Sequence, residues 1–194
     1  MNAIVHKVIE FLVENKIINT DEDTIAFYTY GIEITLSSLL NVTVILFIGI
    51  LFGKVLNSVV FLIAFIRLRK FTGGFHASSY FRCNLSLGIC YLILCIIIKF
   101  TIQLNLATLF FISALTGIFS VTVITLFSPI ENENKPLDDK TKSTSRRKSI
   151  IFSIGLLLLN MIVLLFKIKT IIIALTVFLV AVLMIIKLVK EGKR

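Results

Sequence analysis

The chain has 194 residues, 57% of them hydrophobic, and a mean hydropathy of +1.00; an average soluble domain is about 45–50% apolar, so the composition argues against a soluble fold. The formal charge of +9 does not form a basic stripe on a polar face, so no nucleic-acid partner is implied. The basic residues cluster at the ends of apolar runs, where Lys and Arg act as topology determinants at an anionic membrane surface.

Residues 1–24 come first. Ile4, Val5, Val8, Ile9, Leu12 and Val13 recur at helical spacing with His6, Lys7, Glu10 and Glu14 largely between them. This predicts an amphipathic helix that lies in the membrane interface without spanning it. His6 on that helix reads as a solvated or headgroup-level residue. No signal peptide is expected, because charges interrupt the apolar residues throughout this stretch. Thr20, Asp21, Glu22, Asp23 and Thr24 offer N-cap chemistry for the next helix.

Residues 25–127 hold four expected spans. The first runs from about Ile25 to Phe52 and carries Glu33. A carboxylate inside a span is costly enough to be a functional candidate; the plainer reading puts Glu33 at headgroup level, paired with a lysine or arginine. A turn at Gly53 and Lys54 leads to a second span from about Val55 to Ile66, only some dozen apolar residues long. The third covers Leu85 to Ile98 and the fourth Leu106 to Phe127. Residues 128–149 contain both prolines and no long apolar run, which predicts a solvated loop. Residues 150–194 form a closing hairpin, Ile150–Phe166 and Thr170–Ile186 about a Lys167–Lys169 turn, with a basic tail. The fold expected is therefore all-α: a single polytopic membrane domain of six transmembrane helices plus an N-terminal amphipathic interfacial helix.

Orientation is set by the charges. With the N-terminus inside, 16 of the 20 Lys and Arg residues fall on the inner side, and Lys54, Lys99, Lys167 and Lys169 on the outer. This predicts a multi-pass cell-membrane protein with both termini and the segment 67–83 in the cytoplasm.

That segment, R-L-R-K-F-T-G-G-F-H-A-S-S-Y-F-R-C, has the only Gly-Gly pair, one of two histidines and one of three cysteines. Cysteine attacks as the thiolate, so a catalytic thiol needs surroundings that lower its pKa from about 8.5. Cys83 follows Arg82 and opens the third span, where the helix dipole and unpaired N–H groups favour an anion. Cys90 and Cys95, deep in the same apolar run, read as inert small hydrophobes. An odd number of cysteines so placed predicts reduced thiols. His76 is the natural base. Seven residues along one straight helix would separate His76 from Cys83 by about 10.5 Å, too far for proton transfer, so Gly73 and Gly74 are expected to bend the chain into a turn or re-entrant loop. Neither the histidines nor the cysteines cluster with metal-ligand spacing, so no metal or other cofactor is expected.

Arg69, Thr72-Gly73-Gly74-Phe75-His76-Ala77 and Cys83 closely resemble the accessory gene regulator B (AgrB) peptidases of Gram-positive quorum sensing. Pro129 followed by Glu133-Asn134-Lys135-Pro136-Leu137 resembles that family's proline-containing cytoplasmic loop. The resemblance covers nearly the whole chain. It implies a membrane thiol protease that removes the C-terminal tail of an AgrD-like precursor peptide: Cys83 holds the peptide as a thioester, with His76 as base, and a cysteine or serine of the precursor displaces Cys83 to close a thiolactone or lactone, the autoinducing peptide. It also implies supporting roles for Arg69 and Gly74, and a homodimer. Glu33, Ser78, Ser79 and Asn84 all stand open as a third catalytic group. Two other readings compete: a non-enzymatic transport or export component with Glu33 and the basic residues along a substrate path, and a membrane scaffold or sensor.

Overall fold

A computed structural model describes residues 2–73, 80–130 and 138–192, with backbone alone for 2–3, 80–82 and 191. Seven helices account for almost all of it: α1 (Asn2–Glu14), α2 (Glu22–Leu51), α3 (Val55–Thr72), α4 (Tyr80–Thr101), α5 (Leu106–Phe127), α6 (Asp139–Leu165) and α7 (Ile172–Glu191). Among the described residues the only extended pairing is an isolated parallel bridge between Gly73 and Ile130.

Five of the helices, α2, α4, α5, α6 and α7, are long and apolar enough to cross a membrane. The protein is a multi-pass helical membrane protein. The remaining expected span is α3, whose apolar run ends in Arg67, Arg69 and Lys70. It still runs back alongside its neighbours: Ser58 near its start meets Tyr91 of α4, and Arg69 near its end interacts electrostatically with Cys83 at the start of α4.

The helix ends follow from local chemistry. Asp21 caps α2 by accepting the Thr24 N–H at 2.9 Å, and the Thr24 hydroxyl, together with this N–H, holds its carboxyl below the usual aspartate pKa. Asn105 caps α5 in the same way through Thr108. Gly53 (φ 62°) and Lys167 (φ 61°) turn the chain between successive helices. On α1, Val5 and Ile9 are buried with Ile18 against Ile25, Ile32 and Leu36 of α2, while Ile4, Val8 and Phe11 face outward beside exposed His6. The amphipathic helix thus has a protein-bound edge as well as an open apolar one.

One expectation is corrected. Residues 139–149 are not loop: α6 begins at Asp139, eleven residues before the expected Ile150. No proline or glycine interrupts 139–154, and Asp138 and Asp139 suit the positive end of the helix, so the helix continues beyond the apolar part. Across its 27 residues α6 is about 40 Å long, more than the roughly 30 Å of hydrocarbon.

The bundle is built around its last helix. Ile172 to Val177, Val180, Ala181 and Met184 of α7 are buried, as is Ile171 just before it, and α7 packs against α3, α5, α6 and, more lightly, α4. In lipid, apolar surface alone gives no reason to choose a partner, and polar cross-links and small residues supply it. Ser58 Oγ and Tyr91 OH lie 2.7 Å apart between α3 and α4. Asn160 of α6, which sequence reading passed over, donates to Ser113 Oγ of α5 at 3.1 Å and accepts the Ala174 N–H of α7 at 3.3 Å. Gly49 of α2 lies so close to Ser58 that a Cβ there would collide with the hydroxyl. Among the described residues no buried side-chain polar atom lacks a hydrogen-bond partner, as a hydrocarbon environment demands.

Candidate active site

The motif is assembled where α3 ends and α4 begins. Thr72 closes α3 because Gly73 takes φ 66° and ψ −153°, a conformation that only glycine adopts without strain. Helix α3 therefore ends at the first glycine of the pair; the expected turn or re-entrant loop beyond it lies outside the described residues. Gly74, His76, Ser78 and Ser79 lie outside the described residues, so the separation of His76 from Cys83 does too.

Cys83 sits in the first turn of α4, which starts at Tyr80, and its thiol is half-buried. The backbone of Arg82 belongs to the same turn; its side chain is outside the described part. Helix α3 supplies the facing charge. Arg69 is half-buried, its guanidinium 5.5 Å from the Phe65 ring centroid and in electrostatic contact with Cys83. Burial draws the Arg69 pKa below the ordinary arginine value, and Cys83 opposes that shift. Arg67 and Lys70 on the same end are exposed.

Asn84, the next residue, points elsewhere. Its Oδ1 accepts from Ser37 Oγ at 2.9 Å and from Asn41 Nδ2 at 2.8 Å, both on α2, and its Nδ2 reaches the Ser37 carbonyl at 3.5 Å. Successive residues of a helix diverge by about 100°, so clamping Asn84 to α2 leaves Cys83 free to address α3. The Asn84 amide is thus hydrogen-bonded to α2 and anchors the cysteine helix. Glu33 precedes Ser37 by one turn on the same side of α2 and is half-buried. Because α2 and α4 run parallel, this puts Glu33 level with the beginning of α4. Cys90 is half-buried further along α4, and Cys95 is buried at 3% exposure in the core.

The second motif joins the first. Ile130, just beyond Pro129, pairs with Gly73, and its N–H donates to the Thr72 carbonyl at 2.9 Å. Nothing in hydropathy or spacing signals this contact; the one hint in the sequence is that both segments carry the same resemblance. Residues 131–137 lie outside the described part.

A polytopic helical membrane protein is thereby defined, with a basic end at which a glycine turn, an arginine and a cysteine converge. The family model described as Accessory gene regulator B matches residues 5–188, and the chain belongs to that family. An AgrB-like protein of Clostridium perfringens strain SM101 and AgrB-like protein 2 of C. perfringens strain 13 are each 28% identical over 137 residues, covering 68% of this chain and 62% of the relative. An AgrB-like protein of Listeria welshimeri is 29% identical over 146 residues, covering 75% of this chain and 68% of the relative. The matched region thus spans less than two thirds of the length of either C. perfringens relative. No solved structure matches the chain.

Proposed function

We propose that the protein is a membrane cysteine endopeptidase of a peptide quorum-sensing system, removing the C-terminal tail of an AgrD-like precursor and promoting ring closure. The observation that carries this reading is the electrostatic interaction between Arg69 at the end of α3 and Cys83 at the start of α4, with the thiol half-buried in a first helical turn. A guanidinium and unpaired helix N–H groups both favour negative charge beside a nucleophile.

In this mechanism His76 takes the Cys83 proton and the sulfur attacks the scissile carbonyl. The tail leaves as an amine carrying the proton returned by His76, and the rest of the precursor remains as a thioester. A cysteine or serine of the precursor then attacks that carbonyl, which releases Cys83 and closes a thiolactone or lactone. Exchange of one thioester for another is nearly balanced in energy and needs no nucleotide. Competing hydrolysis is suppressed by a site recessed among helices. Arg69 steadies the thiolate and the fold of the turn, Gly73 and Gly74 supply the bend, Arg82 adds positive charge beside the nucleophile, and Glu33 orients the base or handles a proton.

The charge asymmetry supports a cytoplasmic site and cytoplasmic termini, where a basic face attracts an acidic peptide segment. The bilayer and the precursor are the partners, and the functional unit is a homodimer. Co-expression with the precursor tests the enzyme reading: tail removal is lost in Cys83→Ala and His76→Ala and persists in Cys90→Ala. Undiminished cleavage by Cys83→Ala would sink it, and loss in Cys90→Ala alone would transfer the role to the other thiol. Export of intact precursor by Cys83→Ala, with no cleavage in the wild type, would favour a transport component instead.

A further inference from the structure

The turn that ends α3 is held by a segment far from it in sequence. The parallel pairing of Gly73 with Ile130 brings the backbones so close that a Cβ on Gly73 would fall on the Ile130 carbonyl. The holding segment is itself secured at several points. Ser128 N–H donates to the Ile124 carbonyl at 3.0 Å, and Ser128 Oγ lies 2.7 Å from Ser149 Oγ in a buried contact between the end of α5 and α6. Arg146 Nη2 donates to the Thr125 carbonyl at 2.8 Å, and the Lys148 ammonium sits 5.9 Å from the Phe71 ring centroid on α3. Ser128, Pro129 and Ile130 are all buried. The end of α3, the end of α5 and the near part of α6 are thus tied into one cluster beneath the Gly73 turn.

None of these side chains is a nucleophile, acid or base in the proposed chemistry. Their common effect falls on the main chain of Thr72 and Gly73, three residues before His76 at the closest. We propose that Ser128–Ile130 is a positioning strap, which fixes the direction in which the chain leaves α3 and so aligns His76 with Cys83. This rests on the peptidase reading. The strap acts through its Ile130 N–H and the backbone contact it offers to Gly73, while the buried Ile130 side chain packs in the core; a substitution that keeps the N–H and most of that side chain therefore leaves the strap intact.

The test uses the full chain in detergent with Cys90→Ala and Cys95→Ala, leaving Cys83 as the only thiol, and measures its alkylation by iodoacetamide at neutral pH. His76→Ala is expected to slow alkylation at least about tenfold, as loss of a partner base does. Ile130→Pro, which removes the N–H, is expected to fall to within about twofold of His76→Ala, while Ile130→Val, which keeps the N–H and most of the buried side chain, stays within about twofold of the parent. In precursor cleavage Ile130→Pro should lower kcat with KM little changed, the mark of misaligned chemistry rather than lost binding. Should Ile130→Pro not yield monodisperse protein, Ser128→Ala, which cuts an anchor and leaves the helices intact, and Gly73→Ala must both move alkylation towards the His76→Ala rate. Parental alkylation in the strap variants with slow alkylation in His76→Ala overturns the strap and leaves the His76–Cys83 pair standing. Parental alkylation in His76→Ala removes the pair and the strap with it.

Discussion

At the residue scale, Cys83 and Asn84 show how one helical turn divides its duties. The amide is spent on Ser37 and Asn41 of α2, and the thiol interacts electrostatically with Arg69 of α3. Asn84→Ala should therefore loosen α4 without removing a reacting group. Interhelical hydrogen bonds in membranes contribute about 0.6 kcal/mol on average and up to about 1.7. Tail removal should then fall by no more than about twentyfold, the equivalent of about 1.7 kcal/mol, against complete loss in Cys83→Ala, when initial rates are compared at equal protein level. A loss as deep as that of Cys83→Ala would return Asn84 to the catalytic group. The cysteine, the arginine and the glycine bend were legible in the sequence because rare residue types in an apolar chain stand out. The commitment of Asn84 was not, since an asparagine beside a nucleophile reads equally well as catalyst or strut until its partner is known.

At the element scale, α6 carries the clearest departure from expectation. Its first eleven residues, Asp139–Ser149, are mostly exposed and strongly basic, and hydropathy marks where a span lies rather than where a helix starts. Thr144, whose hydroxyl donates to the Lys140 carbonyl at 2.8 Å, lies inside this extension. Thr144→Pro removes a helical N–H and clashes with the preceding turn, at a cost of about 3 kcal/mol. Trypsin should then cut after Lys140 and Lys142 severalfold faster than in the wild type, with the protein still membrane-inserted; equal rates would mean that the extension gives no protection. Helix α5 matched its expected span at both ends, Leu106 to Phe127, and α2 came within three residues of its own, because capping residues such as Asn105 and the glycine at 53 are local signals; α4 began five residues before the expected Leu85 and α7 ended five residues after Ile186. Helix α3 continued past its apolar residues to Thr72 for the same reason that α6 began early: arginine and lysine are good helix formers, and a helix does not stop where the lipid does.

At the scale of the whole molecule, the charges and the packing describe different things. The placement of 16 of 20 Lys and Arg residues on one side predicts an orientation that labelling can check. A cysteine introduced by Lys167→Cys should react with an impermeant maleimide added to intact cells, and one introduced by Lys142→Cys should react only after the membrane is opened. The reverse pattern would invert the topology and put the glycine turn and Cys83 outside. The sequence by itself determined the all-α membrane class, the position of most spans, the charge asymmetry and the motif, because each depends on composition within a short window and on a solvent that punishes every unsatisfied polar group. Only the tertiary structure decided that α7 is the axis of the bundle, that Asn84 belongs to α2, and that Ile130 braces Gly73. Helices in lipid gain nothing from hiding apolar surface on one another, so their choice of neighbour rests on single small residues, isolated hydroxyls and amides, and main-chain contacts, none of which leaves a periodic trace along the chain.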